Sequence, residues 1–194
     1  SCSSITRPCL EGTAKVELTT SKGKLILELN GNVAPLTAGN FLDLVKKGIY
    51  NGTYFHRVIK EPVPFIVQGG DPRSKSANTS KEKYGLGNYI EPRTREVRFI
   101  PLEIKLKTED LPRYNKITTD PTGIDQLELT HLKGSIGMTR AQELNSASSQ
   151  FYIALRALPE LDGRYALFGR VTNGMRVLEA ISEDDRIITA KITN

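Results

Sequence analysis

An arginine and a glutamine stand within two short apolar runs, Phe55-His56-Arg57-Val58 and Phe65-Ile66-Val67-Gln68. A guanidinium stays charged at any physiological pH and offers several donors in a planar fork. Aimed at an atom that gains a lone pair or negative charge, it binds a transition state better than a ground state. The amide of Gln68 could hold that guanidinium or bind a carbonyl. The bland alternative is a surface arginine in an ion pair and a polar residue at a strand end. Competing chemistries lack their residues. His56 and His131 are the only histidines, and no His/Cys/carboxylate spacing suggests a metal site. Ser146, Ser148 and Ser149 have no His/Asp constellation to activate them. Neither Gly69-Gly70 nor Gly85-Leu86-Gly87 precedes the Lys-Ser/Thr pair of a phosphate loop.

Two extended segments, Tyr54–Val58 and Phe65–Gln68, joined through Lys60-Glu61-Pro62-Val63-Pro64, set Arg57 and Gln68 near each other on one sheet face. Strand alternation turns His56 away from Arg57. Gly69-Gly70 permits a close backbone turn beside them. Upstream, Val16–Thr19 and Leu25–Leu29 read as strands joined through Ser21-Lys22-Gly23, with Leu25, Leu27 and Leu29 on one face. A helix follows, with Pro35 in its first turn, Ala38, Phe41, Leu42 and Val45 at helical spacing, and Gly48 as its stop. Strands resume at Gly134–Met138, Gln150–Leu155 and Ala166–Val171. A second helix carries Met175, Val177, Leu178 and Ile181, and Ile187–Ile192 is a closing strand. Between them, 72–130 is a long, loop-rich stretch, partly extended over Val97–Ile104. The pattern indicates a β-rich fold with two helices.

Two further blocks join the first: Ser149-Gln150-Phe151-Tyr152-Ile153, and Leu161-Asp162-Gly163-Arg164-Tyr165-Ala166-Leu167-Phe168-Gly169. In this order and spacing the three resemble the signature blocks of the cyclophilins, over about residues 14–193. The resemblance implies a mainly β fold, a closed eight-stranded antiparallel β-barrel capped by two α-helices. It also implies a peptidyl-prolyl cis–trans isomerase that needs no cofactor and assists protein folding. A proline-segment binding module or scaffold is the alternative. The X–Pro amide has a rotation barrier of roughly 18–20 kcal/mol, while its isomers differ by only about 0.5–1 kcal/mol. Rotation leaves the imide nitrogen with a lone pair, the atom Arg57 would meet. The resemblance makes Arg57 and Gln68 the catalytic pair. It assigns Phe65, Ile66, Tyr152 and Leu161 to the apolar proline pocket, Thr139, Arg140 and Gln150 to the peptide groove, and Tyr165 to substrate binding. For the apolar members, core packing is the ordinary alternative. There are departures. Arg140 puts a charge where the family uses an Asn. Tyr152 stands where Phe is common, Ile66 for Met, Tyr165 for His, and Glu160 for the Trp that contacts cyclosporin, so weak cyclosporin binding is expected. The "IPLEI" stretch at 100–104 resembles thylakoid-lumen cyclophilins and related bacterial proteins.

The chain has 194 residues, enough for one domain with a sizeable core. The expected layout is a tail over 1–13 and an isomerase domain over 14–194, with an insertion at about 72–130. The formal charge is +5, and residues 72–119 alone carry 11 Lys and Arg against 6 Asp and Glu. Nothing interleaves aromatics with basic residues as nucleic-acid binding would need, and no apolar run reaches membrane-helix length. Expected partners are proline-containing peptides and flexible or unfolded protein segments, met as a monomer. Cys2 and Cys9 leave two readings open, a small-loop disulfide or a lipid anchor on Cys2. A periplasmic or thylakoid-lumen location is favoured over the cytoplasm.

Overall fold

The computed structural model describes residues 2–193. The two opening strands, β1 (Thr13–Thr20) and β2 (Gly23–Asn30), pair in one antiparallel ladder. Their hairpin is tight: Gly23 sits at φ +129°, and the Thr20 hydroxyl donates to its carbonyl at 2.7 Å. Leu25, Leu27 and Leu29 are fully buried, so strand alternation puts every second side chain inward. Eight strands form one antiparallel sheet. The order runs β10 (Ile187–Thr193), β1, β2, β9 (Leu167–Asn173), β7 (Ser135–Met138), β8 (Phe151–Ala154), β4 (Ile66–Gly69), β3 (Arg57–Ile59). The sheet curls until its ends meet. Gly52 N–H donates to Ile187 O, Ile187 N–H to Thr53 O and Phe55 N–H to Asp185 O, joining the approach to β3 to the start of β10. Closure leaves little free edge.

Helix α1 (Pro35–Lys46) packs Phe41 against Tyr50, Phe151 and Phe168, all fully buried. Gly48, at φ +71°, ends it. The expected second helix is α3 (Met175–Ala180), opened by Gly174 at φ +98°. A third, α2 (Pro121–Asp125), capped by Asp120 on Gly123 N–H, was not apparent from periodicity because it is a single turn.

The 72–130 stretch is ordered by side chains that reach out of it. Arg98 donates to Asn40, Asp43 and Glu91 and lies over the Tyr89 ring. A small ladder pairs β5 (Glu103–Ile104) with β6 (Arg113–Tyr114), and the buried Glu103 reaches the start of α1. A second apolar cluster forms around Leu102, Ile104, Leu106, Leu127 and Ala166. The N-terminal segment is packed rather than loose: Cys9 lies so close to α1 that a Cβ on Gly39 would stand 2.5 Å from its Cα. Cys2 is bonded to Cys9. Of the two readings of these cysteines, the geometry matches the small-loop disulfide.

Candidate active site

The ladder between β3 and β4 pairs Arg57 directly with Gln68, as the two short strands predict. Directly opposed side chains share a face, and here Arg57 Nη1 donates to Gln68 Oε1 at 3.1 Å. That bond fixes the amide of Gln68. Its Nε2 turns to Gln150 Oε1 at 3.2 Å, and Gln150 Nε2 donates to the carbonyls of Gly85 and Gly87 at 2.9 and 2.8 Å. Every donor in the chain points away from Arg57, so one arrangement satisfies all three side chains.

The far end of the chain is held by a carboxylate. Asp71, fully buried, accepts from the backbone N–H groups of Arg73, Gly85 and Gly87. A Cβ on Gly87 would come within 2.0 Å of Asp71 Oδ1, so only glycine permits this approach. Residues 85–87, within the 72–130 stretch, therefore touch the groove through Gln150. The Gly85-Leu86-Gly87 spacing was the available signal; its partner, Asp71, follows Gly69-Gly70 in the first block. Replacing Gln150 by Ala leaves Gln68 and two carbonyls without this bridge. The expected result is about a tenfold loss in kcat/KM on an X–Pro peptide, with the thermal transition moved by only a few degrees. Unchanged turnover would mean that Arg57 needs no such support.

The apolar side of the groove gathers the other expected residues. Arg57, Phe65, Ile66, Gln68, Tyr152 and Leu161 line a cavity of about 230 Å³ together with Thr139, Arg140 and Tyr165. Tyr152 is buried in its floor, with Tyr165 edge-on to it at 5.9 Å between ring centroids. The Tyr152 hydroxyl meets His131 Nε2 at 2.6 Å. The His131 Nδ1 lies 2.8 Å from Asp162 Oδ1, which also accepts the His131 backbone N–H. A carboxylate can only accept, so Nδ1 holds the proton and Nε2 accepts from the tyrosine. Burial holds the His131 imidazole below its usual pKa, against the pull of Asp162, and pushes the Tyr152 phenol well above its own. A Cβ at Gly137 would stand 2.2 Å from the Tyr152 hydroxyl, so glycine makes room for it. Thr139 donates its N–H to Gln150 O, and its buried hydroxyl has no protein partner among the described residues.

His56 departs from expectation. Strand β3 begins only at Arg57, so alternation does not govern His56, and its Nε2 lies 3.5 Å from Gln68 Nε2. Burial lowers its pKa. Glu160 is half exposed and bonded to Arg156 at 3.2 Å, at the edge of the cavity next to Leu161. Among the described residues no group of His, Cys, Asp or Glu could hold a metal ion.

A closed antiparallel barrel with an Arg–Gln pair over an apolar pocket defines a class, and comparison with known proteins gives the same one. The chain belongs to the cyclophilin-type peptidyl-prolyl cis-trans isomerases: the family model described as "Cyclophilin type peptidyl-prolyl cis-trans isomerase/CLD" matches residues 15–193. It is 38% identical, over 95% of its length, to a Synechocystis protein named for the thylakoid lumen and this activity; it spans about half (48%) of that relative. A Schizosaccharomyces pombe peptidyl-prolyl cis-trans isomerase is 36% identical over 84% of this chain and 82% of its own. The crystal structure of a Cryptosporidium parvum cyclophilin in the presence of the dipeptide Ala-Pro superposes with a TM-score of 0.67. It is 27% identical, with 93% of this chain and 99% of that one covered.

Proposed function

We infer that this chain is a cofactor-free peptidyl-prolyl cis–trans isomerase acting on peptides and flexible protein segments. The observation that carries the reading is the Arg57–Gln68 bond at 3.1 Å beside an apolar pocket. Phe65, Ile66, Tyr152, Leu161 and Tyr165 take the proline ring. Thr139, Arg140 and Gln150 border the groove in which the peptide backbone lies. Arg57 donates to the imide nitrogen as it becomes pyramidal, which lowers the barrier without any covalent step. Gln68 holds the guanidinium in place, and Gln150 holds Gln68. The relative crystallised with Ala-Pro supports a proline-containing ligand.

Exchange spectroscopy on an X–Pro peptide tests this directly. Substoichiometric protein should bring cis–trans exchange from tens of seconds into the NMR timescale. A proline-binding module without catalysis would shift the resonances and leave the exchange rate alone, which would overturn the reading.

The Synechocystis relative's name and the Cys2–Cys9 bond together favour a thylakoid lumen or bacterial periplasm, where thiols oxidise. Cyclosporin should bind weakly. Glu160 offers a carboxylate already paired with Arg156 in place of an indole, and burying it under the drug would desolvate a charge. Glu160→Trp should tighten binding about tenfold, through added apolar area and an N–H donor. Tight binding by the wild type, unchanged in Glu160→Trp, would show that this position is not used.

A further inference from the structure

The proline pocket does not end at Thr139 and Arg140. A second cavity of about 270 Å³ continues beyond them, bounded by Gly85, Leu86, Asn88, Ser146 and Gln150, and lined by the same Thr139 and Arg140. A peptide chain crossing from one to the other passes Arg140.

That guanidinium is fixed in place. It lies over the Tyr165 ring at 4.7 Å and donates to the carbonyls of Arg164 (2.7 Å), Ala141 (2.9 Å) and Gln142 (3.3 Å). Among the described residues all its partners are uncharged: backbone oxygens and an aromatic face. They hold the head without neutralising it. The lining of the two cavities contains two cationic side chains, Arg57 and Arg140, and no Asp or Glu. The carboxylate next to Leu161, on Glu160, is taken by Arg156. Arg57 is likewise held by a neutral group, Gln68, but in the isomerase reading its remaining donors face the imide nitrogen rather than a flanking side chain. A half-buried groove with a pre-positioned, unneutralised guanidinium favours an anionic partner and disfavours a cationic one.

We propose that Arg140 makes the groove selective for X–Pro segments carrying a carboxylate side chain within two residues of the proline. This rests on the isomerase reading above for its substrate and adds the charge preference. Arg140 here is a specificity residue: it meets the flanking side chain, while the imide nitrogen belongs to Arg57.

The test uses end-capped proline peptides, so that the variable side chain carries the only charge. The residue one or two places before or after the proline is Glu, Gln or Lys in turn. Exchange rate and binding are read from the same NMR titrations. At low ionic strength the best Glu peptide should show about a tenfold higher kcat/KM than its Gln counterpart, and Lys should be poorer still. The Glu advantage should shrink as salt rises to 0.5 M. Arg140→Gln should bring the Glu/Gln ratio to about one whatever its absolute turnover, and Arg140→Glu should reverse the order to favour Lys. Equal kcat/KM and equal affinity for Glu and Gln peptides in the wild type would overturn the proposal. So would a Glu preference that survives in Arg140→Gln. If the peptides bind with this Arg140-dependent order but their exchange is not accelerated, the selectivity stands and the isomerase reading falls. The opposite pattern leaves the isomerase reading intact and removes the selectivity.

Discussion

Arg57→Ala should lower kcat/KM on an X–Pro peptide by two orders of magnitude or more while the protein stays folded. The guanidinium is exposed at a strand end and hydrogen-bonds Gln68, so truncation leaves no buried charge unpaired and opens no cavity in the core. What it removes is a donor aimed at an atom whose lone pair exists only in the twisted amide. Loss of one such donor in a preorganised site costs roughly 10²–10³ in rate. The effect should fall on kcat more than on substrate affinity, because the planar ground state offers that nitrogen little to accept with. Arg57→Lys should recover little, since an ammonium cannot both bond Gln68 through one arm and present a second in the same plane. A folded Arg57→Ala protein that isomerises at the wild-type rate would refute the mechanism. A loss seen wholly in KM would make Arg57 a ground-state contact.

The parts of this site that could be read from sequence are those governed by short-range rules. Arg57 faces Gln68 because two strands of a few residues, joined by a proline-rich loop, allow few registers. Leu25, Leu27 and Leu29 are buried together because a strand has a period of two. The same rule misled at His56, which lies one residue before the strand begins and so escapes alternation. The supports of the site are long-range and left no local pattern. Gln150 meets Gly85 and Gly87 across 65 and 63 positions, and His131 meets Asp162 across 31. Nothing in the sequence near His131 indicates that its ring will fix a tyrosine hydroxyl under a pocket. Glu103 sits among apolar neighbours in Leu102-Glu103-Ile104, where alternation alone gives no reason for a carboxylate to be buried.

Losing that carboxylate should carry a large stability cost. Helix α1 begins at Pro35 after Ala34, which has no side-chain oxygen to cap it. Its first turn still has donors to satisfy. Pro35 has no N–H, and Ala38 N–H donates to Ala34 O, which leaves Leu36 and Thr37. Both go to Glu103, at 3.1 and 2.7 Å, from 67 and 66 positions away in the chain. The Thr37 hydroxyl and the Tyr114 phenol donate to the same carboxylate at 2.6 and 3.0 Å. Glu103 thus caps the helix, places an acidic group at its positive end, and ties the 72–130 stretch to the barrel. Burial raises its pKa, while the four donors pull it back. Glu103→Ala strands two buried N–H groups and a hydroxyl and leaves a void. At about 1–3 kcal/mol for each unsatisfied buried group, the loss should reach roughly 3–5 kcal/mol. That corresponds to a fall in Tm on the order of 10 °C for a chain of this size. Glu103→Gln keeps one acceptor oxygen but turns an NH₂ toward the helix donors, so it should lie between Ala and wild type. Urea denaturation of the three proteins would measure the order. A Glu103→Ala protein as stable as the wild type would mean that water takes over the cap, and that the segment is held by the Leu102, Ile104 and Leu106 cluster instead.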